Sequence, residues 1–163
     1  MLFSKLIIVY GYTILLMGFF ISYALLISLI WLGTGELAVF HMGLLFLSED
    51  QALIRFFIAF LTSTVVMLTV SSLCFLISTI SKNSVTPIII TISTVFVGTA
   101  ISLIPIEFFE MVNPYLFTGY INSYLSAFHD PIPFDNILKL IIVCLSWTIF
   151  FIGIAFNHFN KKD

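Results

Sequence analysis

Four stretches of this sequence run without a charged residue for long enough to cross a lipid bilayer, and they constrain the fold more than any other feature. They cover residues 6–32, 56–80, 85–106 and 140–157, which are 27, 25, 22 and 18 residues long. A helix rises about 1.5 Å per residue and a hydrocarbon core is about 30 Å thick, so ~20 residues suffice to span it. The chain is 61% apolar and 9% charged, whereas a soluble domain carries about a quarter charged residues. That is too little charge to cover a surface in water. A soluble monomer, a disordered chain and a secreted disulfide scaffold are thereby excluded. The net charge of −2 comes without a basic stripe, so nucleic acid is not an expected partner. The lipid bilayer is.

The expected fold is therefore an all-α polytopic membrane protein, a single membrane domain over residues 1–163. Its four spans are A (6–32), B (56–80), C (85–106) and D (138–157). Lys5 resembles the start of a signal peptide, but the apolar run behind it is about twice the usual length and has no A-x-A exit. Span A is expected to be a retained anchor.

Charge placement orients the spans. Lys5, Lys82, Lys161 and Lys162 fall on one side, while Glu36, Glu49, Asp50, Glu107, Glu110, Asp130 and Asp135 fall on the other with Arg55 and Lys139. The positive-inside rule then places both termini and the Ser81-Lys82-Asn83-Ser84 turn in the cytoplasm. Residues 111–129 are also uncharged, yet they hold Asn113, Pro114, Gly119, Asn122 and three tyrosines. A fifth crossing there would move Lys161 and Lys162 outside. An external interfacial or re-entrant amphipathic helix over 114–128 fits better. Asn113 would cap it, Pro114 would start it, and Phe117, Tyr120, Ile121, Tyr124, Leu125 and Phe128 would form its apolar face. His129-Asp130-Pro131-Ile132-Pro133 would end it.

Catalytic and metal motifs are sparse. There is no P-loop, and His41, His129 and His158 have no partner at ligand spacing. His129 beside Asp130 reads as a solvated turn rather than an acid–base pair. Cys74 and Cys144 sit at different depths and read as unpaired apolar fillers. No ionisable residue lies within the four spans, which argues against proton relays and carboxylate ion sites. Glu107 and Glu110, with Asn113, come closest, as water-facing groups or as an external gate. No cofactor, metal or catalytic residue is expected, and the chain is not expected to be an enzyme.

The spans do carry small and hydroxyl residues in stripes. Thr94, Gly98 and Ser102 repeat every four residues on C, Thr64, Ser71 and Ser78 every seven on B, and Gly18 and Ser22 form one step on A. Such stripes let helix backbones approach and hydroxyls bond across. Two readings stay open for them: packing within one bundle, or a polar wall along a translocation path.

The order of these parts resembles the last four helices of a type-2, export-type ABC transporter permease. The likeness rests on Phe3-Ser4-Lys5-Leu6, on Phe75-Leu76-Ile77-Ser78-Thr79-Ile80-Ser81-Lys82-Asn83-Ser84, on Val112-Asn113-Pro114-Tyr115 and on Phe159-Asn160-Lys161-Lys162-Asp163. It implies cytoplasmic termini in a cell membrane and a broken external element before the last helix. It also implies a non-enzymatic role beside a partner ABC ATPase subunit that binds the ATP, with a second permease chain or a homodimer. The family's first two helices and its ATPase-docking segment have no counterpart in these residues, so a truncated, split or smaller relative is expected. A small membrane accessory or immunity-type protein, binding another membrane protein through the striped faces, is the rival expectation.

Overall fold

The computed structural model describes residues 2–32, 37–40 and 44–160. Five α-helices make up most of it: α1 (Leu2–Leu32), α2 (Glu49–Ile80), α3 (Thr86–Ser102), α4 (Glu107–Val112) and α5 (Phe134–Asn160). Between α1 and α2 a short hairpin pairs β1 (Leu37–Phe40) with β2 (Leu44–Leu47), antiparallel, with Leu37 opposite Leu47 and Phe40 opposite Leu44. Glu36, His41, Lys161 and Lys162, used above to argue topology and metal spacing, lie outside the described residues.

Three of the helices, α1, α2 and α5, are long and apolar enough to cross a membrane. Each is longer than the uncharged run that announced it. α2 starts at Glu49 rather than 56, with Ser48 as its N-cap, and α5 starts at Phe134 rather than 138. α1 already includes Lys5. An uncharged run marks the lipid-compatible part of a helix, and charged turns continue it into the interface.

The expected span C is corrected in the other direction. α3 has only 17 residues. It begins on Thr86-Pro87, where a proline without an N–H removes nothing from the helix, and it stops at Leu103. Pro105 disfavours helical geometry at Ile104, and Ile106 is extended (φ −116°, ψ 130°). The axis then turns by 118° into α4 and the residues behind it.

The single helix expected over 114–128 is corrected too. The chain forms three 3-10 turns, Asn113–Tyr115, Phe117–Tyr120 and Ser123–Phe128. Leu116 is extended between the first two (ψ 131°), and Asn122 (φ −90°, ψ 3°) separates the last. The Asp130–Pro131 peptide that follows is cis.

α2 is the central helix. Of its most apolar window 39% is buried, against 6% for α1. It packs on α1, α3, α5 and the 3-10 segment, most extensively on α5. There Thr69 meets a face of α5 on which Leu140, Cys144 and Ala155 are buried almost completely. Small residues at such a seam bring the backbones close, which is how helices associate where lipid removes the hydrophobic drive. Phe117 of the 3-10 segment inserts beside them, its ring 6.0 Å from Trp147 and 5.9 Å from Phe151. Both cysteines are free thiols.

Candidate functional site

Two apolar clefts open beside the first and middle turns of α2, and both are bounded by the 3-10 segment. One, of about 600 Å³, lies between α1, α2 and α3, with Met67, Thr91, Val95, Phe96 and Ile121 among its walls. The other, of about 500 Å³, lies between α1 and α2 and ends at Phe128. Met17, Ser63 and Tyr124 line both, so Tyr124 stands where the two meet. Neither has a charged side chain among its described lining residues. A third cleft, of about 540 Å³, separates α3 from α5 between Ser93, Thr94 and Val97 on one side and Trp147 and Phe151 on the other. α3 thus has a cleft on each flank while it still packs on α2 and on the Phe117–Tyr120 turn.

The 3-10 segment is tied to the helices at its two ends. At its start the Ser102 hydroxyl donates to Asn113 Oδ1 at 2.8 Å, and the Trp147 indole N–H donates to the Tyr115 carbonyl at 2.8 Å. The Tyr120 hydroxyl closes the first turns by donating to the Pro114 carbonyl at 2.8 Å. Burial pushes this phenol above its ordinary range, so it remains a neutral donor. Gly98 and Gly119 permit two close approaches. A Cβ at 98 would lie 2.5 Å from Thr118 Cγ2, and one at 119 would lie 2.7 Å from the Asn113 carbonyl oxygen.

At its end the segment is held by Arg55, and here the sequence reading is corrected. Arg55 was assigned to the connection between spans A and B, but it sits in the second turn of α2 and is only 7% exposed. Its Nη1 donates to the carbonyls of Ala127, at 3.4 Å, and His129. Its Nη2 pairs with Asp130 Oδ1 at 3.2 Å. Next to it the Phe56 ring meets Phe128 edge to face at 5.2 Å. His129 and Asp130 therefore do not form an isolated solvated turn: the carbonyl of the first and the carboxylate of the second are ligands of a buried guanidinium. The missed signal was Ser48-Glu49-Asp50-Gln51, a capping-box pattern that places a helix start two turns before Arg55, although the Ser48 side chain makes no cap hydrogen bond in the structure.

The other singled-out residues divide. On α2, Ser71 shares a hydrogen bond with Thr13 of α1 at 2.9 Å, while Thr64 bonds only the Phe60 carbonyl of its own helix and Ser78 is exposed. The hydroxyls that join α2 to other helices most deeply were not in the stripe. Thr69 Oγ1 lies 3.2 Å from the Cys144 carbonyl, as donor, and 3.1 Å from Thr148 Oγ1. Ser72 pairs with the Tyr10 hydroxyl. On α3, Gly98 and Ser102 face the 3-10 segment, whereas Thr94 is exposed and bonds its own helix. Gly18 of α1 has nothing within 4 Å of a Cβ. Glu107 and Glu110 are exposed in the first turn of α4, where the helix dipole favours them. Asn113 is brought to Ser102. No family model, curated protein or solved structure matches this chain.

Proposed function

We propose that this chain is the membrane-spanning permease component of an ABC-type exporter. It moves substrate across a cell membrane, and a partner ATPase binds and hydrolyses the ATP. In this reading α3 is the fourth crossing, its 17 residues reaching about 26 Å at the usual helical rise. Both termini and Lys82 then face the cytoplasm, and residues 103–133 face outward. The observation that carries the proposal is the 118° turn from α3 into α4, followed by a segment tied at both ends and then by the last long helix. A broken element in that place is what the resemblance calls for. The uncharged clefts flanking α3 support it further, because they offer a path of low polarity without an ion site.

A second reading is favoured by α1. With so little of its apolar surface buried, it leaves a long face for another membrane protein, as an accessory or immunity-type protein would need. Immunocapture from native membranes in mild detergent separates the two. Recovery of a P-loop ATPase at comparable stoichiometry is the expected result. Recovery of a different membrane protein, without any P-loop ATPase, would replace the permease reading with the accessory one.

A further inference from the structure

We propose that residues 121–130 are a cover over the apolar cleft between α1, α2 and α3, and that Arg55 is the fastening that holds this cover down. The inference stands on geometry and does not require a partner ATPase. Ile121 and Tyr124 form part of the wall of the larger cleft, and Tyr124 and Phe128 part of the smaller. Between the anchored turn at Phe117–Tyr120 and the guanidinium, Asn122, Tyr124 and Leu125 are exposed. The chain thus runs from one fixed point to another along α2, with one side against the helix and clefts and the other exposed.

The chemistry of the second fixed point suits reversible attachment. Arg55 grips two main-chain carbonyls and one carboxylate, so it holds the path of the chain rather than one particular side chain. A buried guanidinium without acceptors is costly. Lifting the cover, however, would expose Arg55 to water, and Asp130 already lies at the surface with its side chain 58% exposed. Both charges can therefore be rehydrated in the open state. The planar fork matters here, because one lysine ammonium cannot reproduce the same set of contacts.

Ser63 lies at the junction of the two clefts, half-buried beneath this cover, and serves as the reporter. Ser63→Cys, in a background with Cys74 and Cys144 replaced by Ala, is reconstituted in lipid nanodiscs so that a water-soluble maleimide reaches both faces. Arg55→Lys should speed its modification roughly tenfold or more, the scale on which a charged hydrogen bond moves an equilibrium. Asp130→Asn should speed it less, since the two carbonyl contacts remain. Ser72→Cys, at the fully buried α1–α2 seam, reports general loosening and should stay slow. Should Arg55→Lys fail to fold, Phe128→Ala loosens the same end and should show the same preference for position 63. Unchanged modification at 63 in the variants that fold, or equal acceleration at 63 and 72, would overturn the proposal.

Discussion

Gly98 on α3 faces Thr118 so closely that a methyl group at position 98 would overlap the threonine side chain, with 2.5 Å to its Cγ2 and Oγ1. The contact joins α3 to the segment that follows it. Neither partner is at a free end, because Thr118 and its neighbour Phe117 are both buried. Gly98→Ala should therefore destabilise the protein in detergent by about 1–3 kcal/mol, the usual range for overpacking. Combining it with Thr118→Ala should recover part of that loss. Gly18→Ala, where a Cβ meets nothing within 4 Å, should cost little. Denaturant unfolding of the four proteins checks the ordering.

Thr69 gives the second prediction. Its hydroxyl, fully buried, bridges α2 to α5 through the Cys144 carbonyl and Thr148. Thr69→Val keeps the volume and removes the bond. Interhelical hydrogen bonds in membrane proteins average about 0.6 kcal/mol, so a lower unfolding midpoint of that scale is expected. A double-mutant cycle with Thr148→Val should show coupling. Thr64→Val, which loses only a bond within its own helix, should change the midpoint less.

Asn113 and the two glutamates should separate cleanly. Asn113→Ala removes the acceptor for Ser102 and should loosen the start of the 3-10 segment, seen as faster hydrogen exchange over 113–120. Glu107→Gln and Glu110→Gln alter exposed groups on a short helix and should leave stability within about 0.5 kcal/mol. A loss of transport in the glutamate variants with unchanged stability would assign them to the path.

What the sequence makes legible is the set of long helices, and the reason is specific to lipid. Absence of charge over a run is a strong signal, whereas the places where charge returns are ambiguous. Arg55 shows this, since the last charge before an uncharged run can belong to a connection or to the helix itself. Only the Ser48 capping pattern distinguishes the two. The 113–128 segment shows a different limit. Apolar residues at spacings of three and four fit both a 3.6-residue and a 3.0-residue helix over so few turns. The choice was made by Leu116 and by the close approach of Gly119 to Asn113. The stripes had a third limit: Ser78 and Thr94 repeat correctly and yet face outward, because a repeat fixes a helix face without fixing what covers it.

The permease reading requires an even number of crossings, and topology mapping tests that most directly. Single cysteines at Ser84, Glu110 and Lys162, in the background lacking Cys74 and Cys144, are exposed in intact cells to an impermeant thiol reagent. The account predicts labelling at Glu110 alone, with Ser84 and Lys162 reacting only after the membrane is permeabilised. Labelling at Lys162 in intact cells, with Ser84 protected, would mean an odd number of crossings and contradict it.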